Sequence, residues 1–222
     1  MADWLWQEFG SLVVLDTETT GLSPGRDRII ELAALKRTRA GEAEEFDLLI
    51  SLPEGQRIPE FVAGLTGITD ERLRSEGVEP REAAGRLAGM LSEPGTLLAA
   101  YNAQFDLCFI YYLLRECALE HVLRGLKFLD ALTAYRDRRP YPHKLESAVA
   151  AYGLRGVNSH RAIDDAEVTL ELLEAMAAER DDLMNYVNLF GYNPKFGAPR
   201  PKIGSVTYRP QPYGQGKALY EL

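Results

Sequence analysis

A chain of 222 residues is long enough to bury a sizeable core, and we expect one domain with an appendage. Charged residues make up 26% and hydrophobic residues 46%, an ordinary balance for a globular protein. The formal charge of −8 argues against a general polyanion binder, because nucleic acid would be repelled unless metal ions supplied positive charge. The N-terminus does not read as a signal peptide, and no stretch has eighteen uninterrupted apolar residues, so we expect a cytoplasmic protein without membrane contact.

The first half of the chain predicts most of a sheet. Three apolar runs separated by short turns favour an antiparallel meander. A short helix is expected to open at Thr69, and an amphipathic helix is expected over 81–93. The fully apolar stretch 96–101 predicts a fourth strand. The three strands of the meander are expected at 11–18, 28–38 and 44–50.

The second half predicts alternating helices and a last strand. This order, following the meander, predicts an α/β fold with a mixed five-stranded sheet flanked by helices. The expected elements are a helix over 103–117, a strand over 126–132, and helices over 144–153 and 160–179.

Two acids close the first predicted strand. Side chains alternate across a strand, so Asp16 and Glu18 share one face with Val14 and lie roughly 6–7 Å apart along it. They can therefore converge on one cation. A strand that simply ends in solvated acids would give the same pattern, so the pair alone leaves both interpretations open.

A third acid lies in the helix predicted over 103–117. Asp106 is followed by Phe109 and Ile110 at helical spacings, which places the acid in the middle of the apolar stripe. An acid in the first turn, after Asn102 as the N-cap, also answers the helix dipole. That alternative explains an acid near the helix start but leaves its inward-facing position unexplained.

The last predicted helix offers two adjacent acids, and its periodicity separates them. At about 100° per residue, Asp164 falls on the polar face, whereas Asp165 falls with Leu172 and Met176 on the border of the buried face. A carboxylate at that border needs a partner that offsets its desolvation. Four inward-facing acids without an obvious basic partner predict a cluster of divalent metal ions. These acids are Asp16, Glu18, Asp106 and Asp165.

The ligand type predicts the metal. Oxygen ligands select a hard cation, Mg²⁺ or Mn²⁺, over zinc, which prefers Cys or His. His160 lies five residues before Asp165 and is expected on the loop "RGVNSH", beside the metals without ligating them. A lone histidine is usually a surface residue, but an imidazole beside two metal ions is suited to accept a proton from water.

Three motifs in this order carry a family resemblance. The segments "DTETTGL", "NAQFD" and "HRAIDDA" resemble the three exonuclease motifs of the DEDD superfamily in its histidine variant (DEDDh). That group includes the proofreading exonuclease subunit of bacterial DNA polymerase III, RNase T and oligoribonuclease. The resemblance covers roughly residues 11–178, and it is specific because five spaced positions match at once. It implies an RNase H-like fold and stepwise 3′-to-5′ release of nucleoside monophosphates.

The resemblance also implies roles for single residues. Asp16, Glu18 and Asp165 would hold one metal ion, and Asp16 with Asp106 would hold a second. Two ions about 3.5–4 Å apart can activate water, neutralise the phosphate and stabilise the leaving 3′ oxygen. His160 would be the general base. The implied pocket for the terminal nucleotide is lined by Thr17, Thr20, Gly21, Leu22, Asn102 and Phe105.

The implied substrate is the 3′ end of single-stranded DNA, in proofreading or repair. A DNA polymerase subunit is a candidate partner, although Tyr101 and Thr66 stand where relatives often carry histidine, so a stand-alone enzyme competes with a replisome subunit. An RNA exonuclease of the RNase T or oligoribonuclease type is one alternative, since a pocket for the 2′-hydroxyl separates the two substrates. A catalytically silent nucleic-acid-binding scaffold is the other, and the complete set of acids with His160 argues against it.

The C-terminal segment differs in composition from the rest. We expect an exonuclease domain over 1–180 and a Pro/Gly/Tyr-rich extension over 181–222. From 185 onward the extension has five basic residues and one acid, a net charge of +4 that leaves −12 for the remaining chain. Two interpretations stay open, a strap whose aromatic residues pack on the domain and an arm that binds single strands.

Overall fold

The computed structural model describes residues 5–156, 159–212 and 216–222. Its centre is a five-stranded sheet in the order β3-β2-β1-β4-β5. β1 pairs antiparallel with β2, and β2 pairs antiparallel with β3, whereas β4 is parallel to both β1 and β5. The predicted mixed five-stranded sheet is confirmed. The strands are β1 (Ser11–Thr19), β2 (Ile29–Thr38), β3 (Ala43–Leu49), β4 (Thr96–Ala100) and β5 (Lys127–Asp130).

Helices cover both faces of the sheet. One core contains Val13 and Leu15 of β1 with the buried residues of α3 and α4, and the other contains Val14 with α5, α6 and α7. The alternation of β1 side chains between two cores explains why its apolar run is continuous. The helices are α1 (Glu60–Thr66), α2 (Asp70–Glu76), α3 (Pro80–Leu91), α4 (Ala103–Glu116), α5 (Ala131–Arg138), α6 (Leu145–Tyr152) and α7 (Ala162–Glu179).

Two boundaries in the second half differ from the sequence prediction. The strand predicted over 126–132 ends at Asp130, because that side chain caps α5 by accepting the Leu132 N–H at 3.2 Å and the Thr133 hydroxyl at 2.6 Å. α5 and α1 were not predicted at all. α7 begins at Ala162 instead of 160, since His160 has φ 57, a left-handed conformation that a right-handed helix excludes.

The ends of three strands define one edge of the sheet, which we call the carboxyl edge. β4 and β5 end at Ala100 and Asp130, and the register places Ala99 beside Val14, so the last four residues of β1 project beyond β4. Asp130 also accepts the Ala103 N–H at 3.1 Å, which ties the end of β5 to the start of α4. Asn102 occupies the predicted cap position without capping, because its φ of 66 is left-handed rather than extended.

The C-terminal extension adds two strands and lies against this domain. β6 (Leu189–Tyr192) and β7 (Thr207–Pro210) pair in parallel as a separate two-stranded sheet. Asn188, just before β6, donates its N–H to the Phe128 carbonyl at 2.7 Å, so β6 starts beside β5. No helix in the described ranges is long and apolar enough to cross a bilayer.

Candidate active site

The end of β1 presents its side chains to two sides of the sheet. Asp16 and Glu18 share the face of Val14, which packs in the core that contains α7. Thr17 points to the opposite side, where its hydroxyl donates to Asp106 Oδ1 at 2.7 Å. The strand therefore supplies two carboxylates to one side and positions a third from the other.

Asp106 enters the site from the first turn of α4. Its side chain is only 2% exposed, and the helical neighbours Phe109 and Ile110 are buried in the core as their spacing predicted. Asp106 is therefore an acid within an apolar stripe, and its charge helps to raise the pKa of Asp16. The helix start that carries it is fixed to the sheet by Asp130, described above.

Asp165 and His160 come from the start of α7 and the loop before it. Asp165 is buried and accepts the Ser159 N–H at 3.2 Å. Glu18, His160 and Asp165 each offer a ligand atom, and these atoms lie within 4.8 Å of one another. Residues 157 and 158 of the predicted loop "RGVNSH" lie outside the described residues. The structure thus brings His160 to the side of β1 on which Glu18 lies.

Burial and mutual repulsion raise the pKa of these carboxyl groups. Desolvation raises the pKa of Asp16 well above its usual range, and the charges of Asp106, Asp165 and Glu18 add to the effect. The pKa of Glu18 rises to about 8 through desolvation and the charge of Asp165. Desolvation also raises the pKa of Asp106 to about 7, although the hydrogen bond from Thr17 opposes it. Burial and the proximity of the carboxyl groups to one another therefore disfavour their ionised forms in the absence of a cation.

This donor set fits a divalent cation. Among the described residues no Lys or Arg forms an ion pair with Asp16, Glu18 or Asp106. The guanidinium of Arg161 lowers the pKa of Glu18, but it is bound to Glu31. Carboxylate oxygens that face one another without a basic partner are the ligands that Mg²⁺ and Mn²⁺ prefer.

Glu31 is a residue that the sequence prediction missed. It lies opposite Glu18 in the β1–β2 register, is fully buried, and accepts Arg161 Nε at 2.7 Å and the Ala162 N–H at 2.9 Å. Arg161 also reaches Asp47 at 3.4 Å. Glu31 thus fixes Arg161, which lies between His160 and the first turn of α7. Its signal in the sequence is an acid inside the apolar run "RIIELAAL".

The loop after β1 contains the first group of predicted nucleotide-binding residues. The Thr20 hydroxyl accepts the Arg28 N–H at 2.9 Å. A Cβ at Gly21 would lie 2.5 Å from Asp27 Oδ2, so a side chain there would displace the carboxylate that accepts the Ser23 N–H. The side chain of Leu22 is 83% exposed. The tight loop therefore presents an apolar side chain to solvent at the carboxyl edge.

The start of α4 contains the second group. Asn102 is exposed at the first position before the helix, and the ring of Phe105 is partly buried against Phe109 with 4.8 Å between centroids. Both follow β4 and lie at the carboxyl edge, as Thr20, Gly21 and Leu22 do. Thr17 is buried beneath this surface, where its hydroxyl holds Asp106.

Comparisons with known proteins agree with this architecture. The model of an exonuclease family matches residues 13–173. DNA polymerase III subunit epsilon of Treponema pallidum is 32% identical over 182 residues, which cover 79% of this chain and 81% of the relative. DNA polymerase III PolC-type of Thermotoga maritima is 32% identical over 168 residues, which cover 73% of this chain but only 11% of the relative.

Solved structures show the same fold. A complex of Escherichia coli exonuclease I with single-stranded DNA has a TM-score of 0.72 at 20% identity over 80% of this chain. An exonuclease I from Methylocaldum szegediense has a TM-score of 0.69 at 23% identity over 79% of this chain. In both cases the chain spans 42% of the solved protein. The mixed five-stranded sheet with helices on both faces is thus an RNase H-like fold, shared with these exonucleases.

The sequence matches identify the family to which the chain belongs. The family model covers well over half of the chain, and the Treponema relative matches over four fifths of its own length. The chain belongs to the exonuclease family. The predictions of an enzyme, and specifically of a 3′-5′ exonuclease, are confirmed.

Proposed function

We propose that this exonuclease removes nucleoside monophosphates from the 3′ end of single-stranded DNA with the help of two Mg²⁺ or Mn²⁺ ions. The convergence of carboxylates from β1, α4 and α7 beside His160 carries the proposal. Asp16, Glu18 and Asp165 would hold one ion, and Asp16 with Asp106 the second. Bound divalent ions neutralise the scissile phosphate and stabilise the leaving 3′ oxygen.

The side chains around the proposed ions would have separate roles in catalysis and in substrate binding. His160 accepts the proton of the attacking water, since its ring lies within reach of the carboxylates of Glu18 and Asp165. The exposed Leu22 and the ring of Phe105 border the terminal nucleotide, together with Thr20, Gly21 and Asn102. Thr17 fixes the position of the Asp106 carboxylate through its hydroxyl.

The relatives support the choice of DNA and suggest a partner. The Treponema relative is a DNA polymerase III subunit, and a structure of the same fold holds single-stranded DNA. We therefore include a DNA polymerase subunit as the proposed protein partner and the cytoplasm as the place of action. Co-elution of the purified chain with a bacterial polymerase III α subunit in size-exclusion chromatography tests the partner, and separate elution would contradict it.

An assay on matched oligonucleotides tests the activity. DNA and RNA 20-mers of one sequence, each labelled at the 5′ end, are incubated with Mg²⁺, with Mn²⁺ and with EDTA. We expect ladders that shorten from the 3′ end on DNA, faster than on RNA, and none with EDTA. Faster degradation of RNA would assign the enzyme to the exoribonuclease alternative, and activity in EDTA would refute the metal mechanism.

A further inference from the structure

The extension is attached to the domain by a small number of buried side chains. Asp137 of α5 accepts hydrogen bonds from the Tyr186 hydroxyl at 3.0 Å, from Gln211 Nε2 at 2.7 Å and from the Leu219 N–H. Tyr186 and Phe190 are almost completely buried. These two aromatic residues of the extension are therefore packed against the domain.

One part of the extension differs from the rest. Residues 193–206, which join β6 to β7 and which we call the basic loop, carry three exposed cations, Lys195, Arg200 and Lys202. Phe196 is 78% exposed, and Lys195 Nζ lies 5.7 Å from the centre of its ring. A large aromatic side chain in solvent beside cations is the combination that single-strand-binding surfaces use.

The bonding partners of the basic loop place it near the carboxyl edge. β6 starts beside Phe128 of β5 and reaches Thr133, whose hydroxyl accepts the Gly191 N–H at 2.9 Å, so the chain leaves β6 at the end of the sheet where β5 ends. Further along, the Pro201 carbonyl accepts Gln104 Nε2 at 2.8 Å. Gln104 directly precedes Phe105 and is two residues from Asp106.

The charges of the basic loop are available to a ligand. In the described parts of the chain, no carboxylate forms an ion pair with Lys195, Arg200 or Lys202. These cations stand on a chain of net charge −8, beside a site of unneutralised acids. The family model ends at residue 173, so the basic loop is outside the region that the family defines.

We propose that the basic loop binds the phosphate backbone of single-stranded nucleic acid, with Phe196 stacking on a base, upstream of the 3′ terminus. The inference rests on the proposed function for the direction of the strand, but its binding chemistry is independent of catalysis. Since the carboxyl edge is acidic, the loop supplies the attraction that the site lacks without its metal ions. The exonuclease would thereby hold a long strand between successive cleavages.

A binding experiment in EDTA tests the loop without catalysis. The variant Lys195→Gln/Arg200→Gln/Lys202→Gln is titrated against fluorescent dT30 at several salt concentrations. We expect binding at least about tenfold weaker than wild type at 0.1 M salt, and a slope of log K against log salt smaller by about 2, because each single-strand phosphate contact contributes about 0.7. The control Arg81→Gln/Lys127→Gln/Lys217→Gln removes the same charge from other exposed positions and should bind like wild type.

A second variant and further substrates test which part of the nucleic acid the basic loop binds. Phe196→Ala should weaken binding of dT30 by about fivefold or more with an unchanged salt slope, since it removes stacking alone. Wild type should bind rU30 and dT30 similarly, because the phosphate backbone is shared. With Mg²⁺, the triple variant should raise KM for dT30 while cleavage of a dinucleotide keeps its wild-type rate.

Two results would overturn the proposal. Equal binding and salt slope of the triple variant and its control would show that the loop does not contact the strand. Equal loss on dT30 and the dinucleotide would place the defect in the active site. An inactive wild type whose binding still depends on the three cations would refute the proposed function and leave the loop's role intact.

Discussion

The acids of the carboxyl edge and the acids that hold the extension differ in their partners. Asp137 receives three hydrogen bonds, and Asp182 pairs with the buried Arg138 and accepts the Tyr220 hydroxyl at 2.8 Å. Asp16 and Glu18 form no ion pair with the Lys and Arg residues of the described chain, and their pKa values are raised. Among the described residues, Asp137 and Asp182 thus have donors or a basic partner, whereas the half-buried Asp16 and Glu18 have no such ion pair.

The difference separates structural from functional acids. A buried carboxylate that receives its full set of donors stabilises the fold, because those donors replace its lost hydration. A group of buried carboxylates that repel one another destabilises the fold unless something outside the chain binds them. The two regions should therefore respond in opposite ways to removal of an acid, in activity and in stability.

Asp16→Ala gives the largest expected effect. It removes the residue proposed to contact both metal ions, so we expect activity to fall by at least about 10³-fold, since metal ligands carry the electrostatic stabilisation of the transition state. In EDTA, the melting temperature of the variant should equal or exceed that of wild type, because the repulsion of Asp16 with Asp106 and Glu18 is relieved. Rates are measured on dT20 and melting by calorimetry. Glu167→Ala, an exposed acid of α7, is the control, and near-normal turnover of Asp16→Ala would refute the metal assignment.

His160→Ala comes next. Loss of a general base should lower kcat by about 10²–10⁴-fold. Isothermal titration with Mn²⁺ should show retained metal binding. A loss of Mn²⁺ affinity as large as that of Asp16→Ala would make His160 a ligand instead.

Glu31→Gln tests an acid that belongs to the structural class although it lies beside the site. We expect kcat to fall about 10- to 100-fold with KM unchanged, because such supporting contacts orient catalytic groups. The pH profile should keep its shape, since His160 remains the base. Asp47→Asn, which removes only the longer contact to Arg161, is the matched control and should have a smaller effect. A wild-type kcat for Glu31→Gln would show that the Glu31–Arg161 ion pair supports the structure and not the reaction.

Asp137→Ala should act on stability rather than on chemistry. Three donors lose their acceptor, so we expect the unfolding free energy to fall by about 3 kcal/mol and the melting temperature by several degrees. The rate on a dinucleotide should stay near wild type. The control is Asp181→Ala, which removes an exposed acid next to Asp182. An unchanged melting temperature would show that the extension contributes no stability through this anchor.

The last expected effect is a pH dependence of the metal-free protein. With folded pKa values of about 8 for Glu18 and about 7 for Asp106, the folded chain binds more protons than the unfolded chain between pH 4.5 and 8. Stability from these groups is present at low pH and is lost as the pH rises through that window. Melting in EDTA at pH 5 and pH 8 should show a smaller decline for Glu18→Gln than for wild type. Parallel declines would contradict the raised pKa.

The inward-facing positions of two acids were easier to predict than the elements around them. Asp106 and Asp165 were chosen because helical periodicity places them among apolar residues, and both are buried. α5 was missed because the apolar pattern of "LKFLDAL" continues across Asp130, and the strand ends there only through side-chain bonds to the following turn. The pairing of Glu31 with Arg161 could not be predicted from the sequence either, because the two residues are 130 positions apart.

The bonds around Asp130 also bear on the order of folding. Its contacts to Ala103 and Thr133 close within the first 133 residues, whereas the Thr133 hydroxyl meets the Gly191 N–H only 58 positions later. Contacts of greater sequence separation form later, because a longer loop must close first. A chain synthesised from its N-terminus therefore builds the helix that carries Asp106 before the segment that braces it has emerged.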